Sequence, residues 1–127
     1  MTIAEFEEKY YLHDSEIAKI DYNAENKFLK LEIDFCFWMQ NWYNIEEIPN
    51  GLIAVTFENI SIFEYKNHEF SNFLENLDTE TDHTKLTEDE TLEIYIREYV
   101  HSSEDKFWWI RIKAENVTVK EISRYTL

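Results

Sequence analysis

Leu29-Lys30-Leu31-Glu32-Ile33-Asp34-Phe35-Cys36-Phe37-Trp38 alternates apolar side chains with a second, mostly polar set. This is the period-two pattern of a β-strand with one buried face. The strand reads from Lys27 to Trp38, with Cys36 on its second face. Upstream, Asn23-Ala24-Glu25-Asn26 has the composition of a turn, which makes Ser15 to Tyr22 the other arm of a hairpin. Downstream, Pro49-Asn50-Gly51 signals a turn before a strand from Leu52 to Tyr65. Further strands are expected at Thr91 to Val100, Lys106 to Ala114 and Val117 to Ile122, the first two joined through the polar loop His101-Ser102-Ser103-Glu104-Asp105.

Two helices are expected beside these strands. Thr2 and Glu5 have capping-box spacing, Met1 is placed to staple onto Phe6, and Ile3, Phe6 and Tyr10 follow near helical spacing. Phe70, Phe73, Leu74 and Leu77 stand at helical spacing behind Asn67, a candidate N-cap, and predict a helix covering one sheet face. From Glu75 to Glu93 eight acids meet one base, Lys85, with few apolar anchors, so much of that stretch reads as a solvated, mobile loop.

The chain repeats itself. Val55-Thr56-Phe57-Glu58-Asn59-Ile60-Ser61-Ile62-Phe63-Glu64 agrees in residue class with Ile112-Lys113-Ala114-Glu115-Asn116-Val117-Thr118-Val119-Lys120-Glu121 except at Phe63 against Lys120. Leu31-Glu32-Ile33 and Leu92-Glu93-Ile94 precede the two copies, so the repeated unit is a hairpin. In both copies the apolar alternation changes phase at Glu-Asn. A β-bulge does this, and Asn tolerates the left-handed backbone that a bulge can require. The expected fold is therefore α+β and predominantly antiparallel β. It is a curved sheet of about six strands with two bulged, hairpin-repeat strands, a short N-terminal helix and one covering helix, in a single domain over residues 1–127.

Composition sets outer bounds. The chain is 44% hydrophobic and 17% aromatic, enough large side chains for a core. One glycine and one proline leave no material for Gly-rich phosphate loops or flexible linkers. The single cysteine, Cys36, cannot close an intrachain disulfide, and the opening Met1-Thr2-Ile3-Ala4-Glu5 lacks a signal-peptide pattern, so a cytoplasmic location is expected. Charge interrupts every apolar run well short of the roughly 18 residues of a membrane span. A formal charge of −15 disfavours nucleic acid and anionic lipid. It maintains solubility, and it would attract a basic partner.

No catalytic constellation stands out. His13-Asp14-Ser15 carries triad residue types, but neighbouring strand side chains point to opposite faces and cannot form a triad among themselves. Asp14 or Ser15 is expected to organise the turn from helix into strand, with His13 partly buried and hydrogen-bonded. His68, His83 and His101 are scattered without zinc spacing, and Asp78 to Glu90 lacks the ordered Asp-x-Asp-x-Asp-Gly of a calcium loop. No metal or cofactor is expected. Aromatics occupy both faces of the late strands: Tyr95 and Tyr99 alternate with Ile94 and Ile96, and Phe107 and Trp109 with Trp108 and Ile110. Either helices cover the second face, or it is an aromatic-acidic binding surface.

Leu12-His13-Asp14-Ser15-Glu16-Ile17, Leu29-Lys30-Leu31-Glu32-Ile33-Asp34 and Phe57-Glu58-Asn59-Ile60 resemble a group of small bacterial proteins assigned to immunity proteins of polymorphic toxin systems. The likeness spans most of the chain, and its most specific part is the His-Asp-Ser/Ala-x-Ile opening. Asn59 stands where such proteins often have glycine. The resemblance implies a non-enzymatic, cytoplasmic protein that binds and neutralises a cognate toxin, with His13, Asp14, Ser15 and Ile17 carried over as a structural motif. The expected partner is a basic toxin, met through Glu75, Asp78, Glu80, Asp82, Tyr95, Tyr99 and Trp109. A different class of function, small-molecule binding in a cavity lined by the aromatics of the curved sheet, stays open, as does an enzyme without a recognised motif.

Overall fold

A computed structural model describes residues 1–44, 46, 49–66, 73–75, 79–99 and 106–124. Helix α1 (Ile3–Lys9) is followed by strands β1 (Glu16–Asn23) and β2 (Phe28–Cys36), a 3-10 turn (Phe37–Met39), β3 (Asn50–Lys66), β4 (Phe73–Glu75), β5 (Thr79–Leu86), β6 (Leu92–Glu98) and β7 (Lys106–Arg124). The strands form one sheet in the order β4-β1-β2-β3-β7-β6-β5, and every pairing between neighbours is antiparallel.

The capping box forms as the spacing predicts: the Glu5 N–H donates to Thr2 Oγ1 at 3.1 Å, and the Thr2 N–H to Glu5 Oε1 at 3.0 Å. The helix then presents Ile3, Phe6 and Tyr10 to the inner face of the sheet, where Phe6 meets Phe57 edge-on and Tyr10 leans against Phe35. The alternation in β2 holds, with Leu29, Leu31, Ile33 and Phe35 fully buried. Phe37 and Trp38, expected in that strand, belong to the 3-10 turn.

Strand order is a palindrome about β3 and β7, so the repeat is a structural one. Leu31, Ile33 and Phe35 of β2 lie opposite Val55, Ile53 and Gly51 of β3. Leu92, Ile94 and Ile96 of β6 lie opposite Ile112, Ile110 and Trp108 of β7. The two long strands pair with each other through the repeated dipeptides, Glu58 opposite Asn116. The phase change is present: Phe57 and Ile60 are both buried with Glu58 and Asn59 exposed between them, and Asn59 is left-handed at φ 54°.

The bulges themselves lie elsewhere. Pairing runs in register from Glu58–Asn116 to Ile60–Ala114 and slips only between Ile60 and Ile62 and between Leu52 and Ile53. The left-handed Asn59 re-aims the chain without adding an unpaired residue, while Asn116 keeps an ordinary backbone. For the same reason β7 is one strand and not two, and with β4 and β5 added the sheet has seven strands instead of about six.

Two further expectations are corrected. Phe73, Leu74 and Glu75 form a strand, with Leu74 opposite Ile20 of β1, and not a covering helix. The edge of β1 offers this segment backbone partners, and that tertiary pairing overrides the local helical spacing. Asn67, Phe70 and Leu77 lie outside the described residues, as does the 101–105 loop. Within the stretch read as a solvated loop, residues 79–86 form β5. Thr79 and Thr81 are fully buried there, so β-branched threonines do the work of an apolar face.

The sheet curls until β5, at one end, reaches the start of β1 near the other, without a closed ladder. The Asp14 N–H donates to the Thr81 carbonyl at 3.0 Å, and the Thr81 N–H to the Ser15 carbonyl at 2.8 Å. Thr79 Oγ1 donates to the Ile17 carbonyl at 2.7 Å and accepts the Ile17 N–H at 3.1 Å. Among the described residues no helix is long and apolar enough to cross a membrane.

Candidate interaction face

The motif His13, Asp14, Ser15, Ile17 sits at this seam. Asp14 takes a left-handed backbone (φ 63°), which turns the chain from the helix into β1. Ser15 is fully buried, and its Oγ accepts the Cys36 N–H at 3.2 Å. His13 Nδ1 meets the Asp82 carbonyl oxygen at 2.5 Å, and its ring stacks on Tyr11. His13 and Ser15 are thus engaged on separate partners, and the motif clasps β5 to the start of β1.

The palindrome provides an internal comparison for the outer face. In the first half, Glu32, Asp34 and Cys36 lie opposite Ala54, Leu52 and Asn50. At the equivalent positions of the second half, Glu93, Tyr95 and Arg97 lie opposite Arg111, Trp109 and Phe107. One hairpin carries two acids, Leu52 and three smaller groups where the other carries three aromatic rings, two guanidinium groups and one acid. Phe107 is 57% exposed and Tyr99 37%, with Tyr95 and Trp109 half-buried.

These side chains are organised by one another. The His83 ring stacks on Tyr95 with centroids 4.3 Å apart, and its Nδ1 lies 2.6 Å from Asp82 Oδ2. That hydrogen bond, with weaker help from neighbouring positive charge, holds the Asp82 carboxyl below its usual range. The Tyr99 hydroxyl donates to Glu80, which pushes the phenol up. Burial, joined by the nearby Glu93 carboxylate, raises the Tyr95 phenol too. Arg111 lies 4.7 Å over the Trp109 ring and pairs with Glu93 at 3.0 Å and Glu64 at 3.1 Å, which raises its own pKa. Arg97 lies 5.5 Å from the Phe107 ring centroid.

Each half has a recess of about 230 Å³ at matching places. One is lined by Asp14, Glu16, Asp34, Cys36 and Asn50. The other is lined by Asp82, His83, Tyr95, Phe107 and Trp109, with Ile96 and Trp108 beneath. In the first recess, burial alone raises the Asp34 carboxyl, and burial chiefly raises the Cys36 thiol.

Of the residues picked from sequence, Glu80, Asp82, Tyr95, Tyr99 and Trp109 come together on the β5–β6–β7 face. Glu75 is on β4, at the other end of the strand order, and Asp78 lies outside the described residues. His83, Arg97, Phe107 and Arg111 complete the face. For Arg97, Phe107 and Arg111 the signal was the repeat itself, aligned residue by residue across the two hairpins, whereas His83 on β5 lies outside the repeat. Among the described residues no group of three or more His, Cys, Asp or Glu side chains is placed to hold a metal ion.

Fold and face together define a curved, predominantly antiparallel α+β protein with one polar and one aromatic outer hairpin. No family model matches the chain, and no curated protein or solved structure shows significant similarity to it.

Proposed function

We propose that the chain is a non-enzymatic, acidic protein-interaction domain, an immunity protein that binds and neutralises a basic cognate toxin in the cytoplasm. The observation that carries this reading is the asymmetry of the two outer hairpins. The first half builds the same backbone pairing with Asp34, Leu52 and Asn50 where the second has Tyr95, Trp109 and Phe107. The fold has no need of those rings, and exposed Trp, Tyr and Arg are the residue types that dominate protein–protein hot spots. A charge of −15 favours a basic partner through complementary potential and fast encounter. The resemblance of the His13-Asp14-Ser15-x-Ile17 opening to immunity proteins points the same way.

The test is co-expression with the toxic domain encoded beside this gene, together with titration of the two purified proteins. Restored growth and a tight, salt-sensitive complex are expected. A neighbouring toxin domain that neither binds nor loses toxicity would overturn the immunity reading. Lysine substitutions at Glu75, Glu80 and Asp82 should slow association at low salt and matter much less at high salt.

A further inference from the structure

We infer that the recess bounded by Asp82, His83, Tyr95, Phe107 and Trp109 is a socket for an arginine side chain presented by the protein partner, an inference that rests on the interaction reading above. Three observations select this occupant. First, at about 230 Å³ the recess falls below the roughly 300–1,000 Å³ of small-molecule pockets and suits a single side chain. Second, its walls pair aromatic rings with one carboxylate, and neither Arg nor Lys lines it. Rings and a carboxylate together favour a cation, and a planar guanidinium can stack on the former while hydrogen-bonding the latter.

Third, the face already uses this chemistry internally. Arg111 lies over Trp109 and Arg97 over Phe107, and Arg111 is held between Glu64 and Glu93, which offset its charge. Asp82 is fixed by its contact with His83 and stays ionised at neutral pH, its carboxyl held below the usual range. The matching recess at Asp34 has the same size and acidic groups but no ring, so it supplies the control for charge alone.

The experiment is an NMR titration of the whole protein with N-acetyl-arginine methylamide, and separately with the uncharged citrulline analogue, following the Trp109 indole N–H, the Tyr95 ring and the Asn50 amide. A saturable response at Trp109 and Tyr95 to arginine is expected, about tenfold weaker for citrulline and about tenfold weaker in Asp82→Asn. Read at the Tyr95 ring, it should vanish in Trp109→Leu, which installs the residue of the equivalent position and so keeps the fold. Equal response to both probes, no response at Trp109, or an equal response at Asn50 would each overturn the socket. With the toxin itself, undiminished binding by Asp82→Asn and Trp109→Leu overturns the socket while leaving the interaction reading intact. An arginine response in a protein that binds no toxin supports the socket and removes the immunity reading.

Discussion

The two hairpins β2–β3 and β6–β7 are built on one plan and differ by face. Toward the core they match in kind: Leu31 and Val55 correspond to Leu92 and Ile112, and Ile33 and Ile53 to Ile94 and Ile110. Where they differ inside, volume is exchanged, Phe35 with Gly51 in one half against Ile96 with Trp108 in the other. Toward solvent, among the six pairs of outward positions compared above, only the acid at Glu32 and Glu93 is matched. The core face is constrained by packing, whereas the outer face is free to carry something the fold does not ask for.

The sharpest way to break that comparison is at the exchanged pair. Trp108 is almost wholly buried, so Trp108→Ala should cost about 3–5 kcal/mol in urea unfolding. Gly51 has the opposite problem: a Cβ there would stand 2.3 Å from the Ser123 carbonyl oxygen, with the Phe37 ring at 2.9 Å. Gly51→Ala should therefore cost about 1–3 kcal/mol by overpacking, although alanine normally favours folding over glycine. A near-neutral result at either position would mean that the halves do not trade volume as described.

At the seam, Thr79→Val keeps the shape and removes a hydroxyl that both donates to and accepts from the Ile17 backbone. Leaving those buried groups unsatisfied should cost about 1–3 kcal/mol, with hydrogen exchange accelerated first at Ile17 and Thr81. Thr84→Val, on the less buried part of the same strand, should change stability by less than about 0.5 kcal/mol. Equal effects would place the weight of β5 elsewhere than at the clasp.

Much of this architecture is legible in the chain because β2, β3 and β7 alternate cleanly and repeat. The phase change at Glu58-Asn59 is legible too, but the alternation alone does not separate a left-handed residue from an added one, and the bulges fall at other places. Substituting Asn59→Gly should be neutral to within about 0.5 kcal/mol because its backbone is already left-handed, while Asn116→Gly should cost about 0.5–1 kcal/mol. Strand β5 was hidden by acids, since its buried face is made of threonines and its pairing is supplied by β6 and the β1 lead-in. The aromatic face is half legible: Tyr95, Tyr99 and Trp109 follow from alternation. The placement of His83 and Asp82 depends on the register slip between Thr81 and His83 in β5, which no local pattern announces.

The smallest expected effect concerns Asp34 and Asp82, taken from the two recesses, whose carboxyls are displaced in opposite directions. Asp82 is held low by His83, so its carboxylate favours the folded state above the ordinary aspartate pKa of about 3.9, and that contribution is lost as pH falls through the lower folded value. Asp34 is raised by burial, so its carboxylate disfavours folding above the raised value, and the penalty is relieved as pH falls through that value and below the ordinary one. Asp82→Asn should then lower the melting temperature at neutral pH, and Asp34→Asn should raise it, with both differences shrinking toward strong acid. Carboxyl carbon titrations report the same contrast directly: the Asp82 midpoint should lie below that of a free aspartate and the Asp34 midpoint above it. Coincident midpoints, or the reverse order, would mean that the two recesses share one electrostatic environment, and the difference between the halves would then reduce to their aromatic rings.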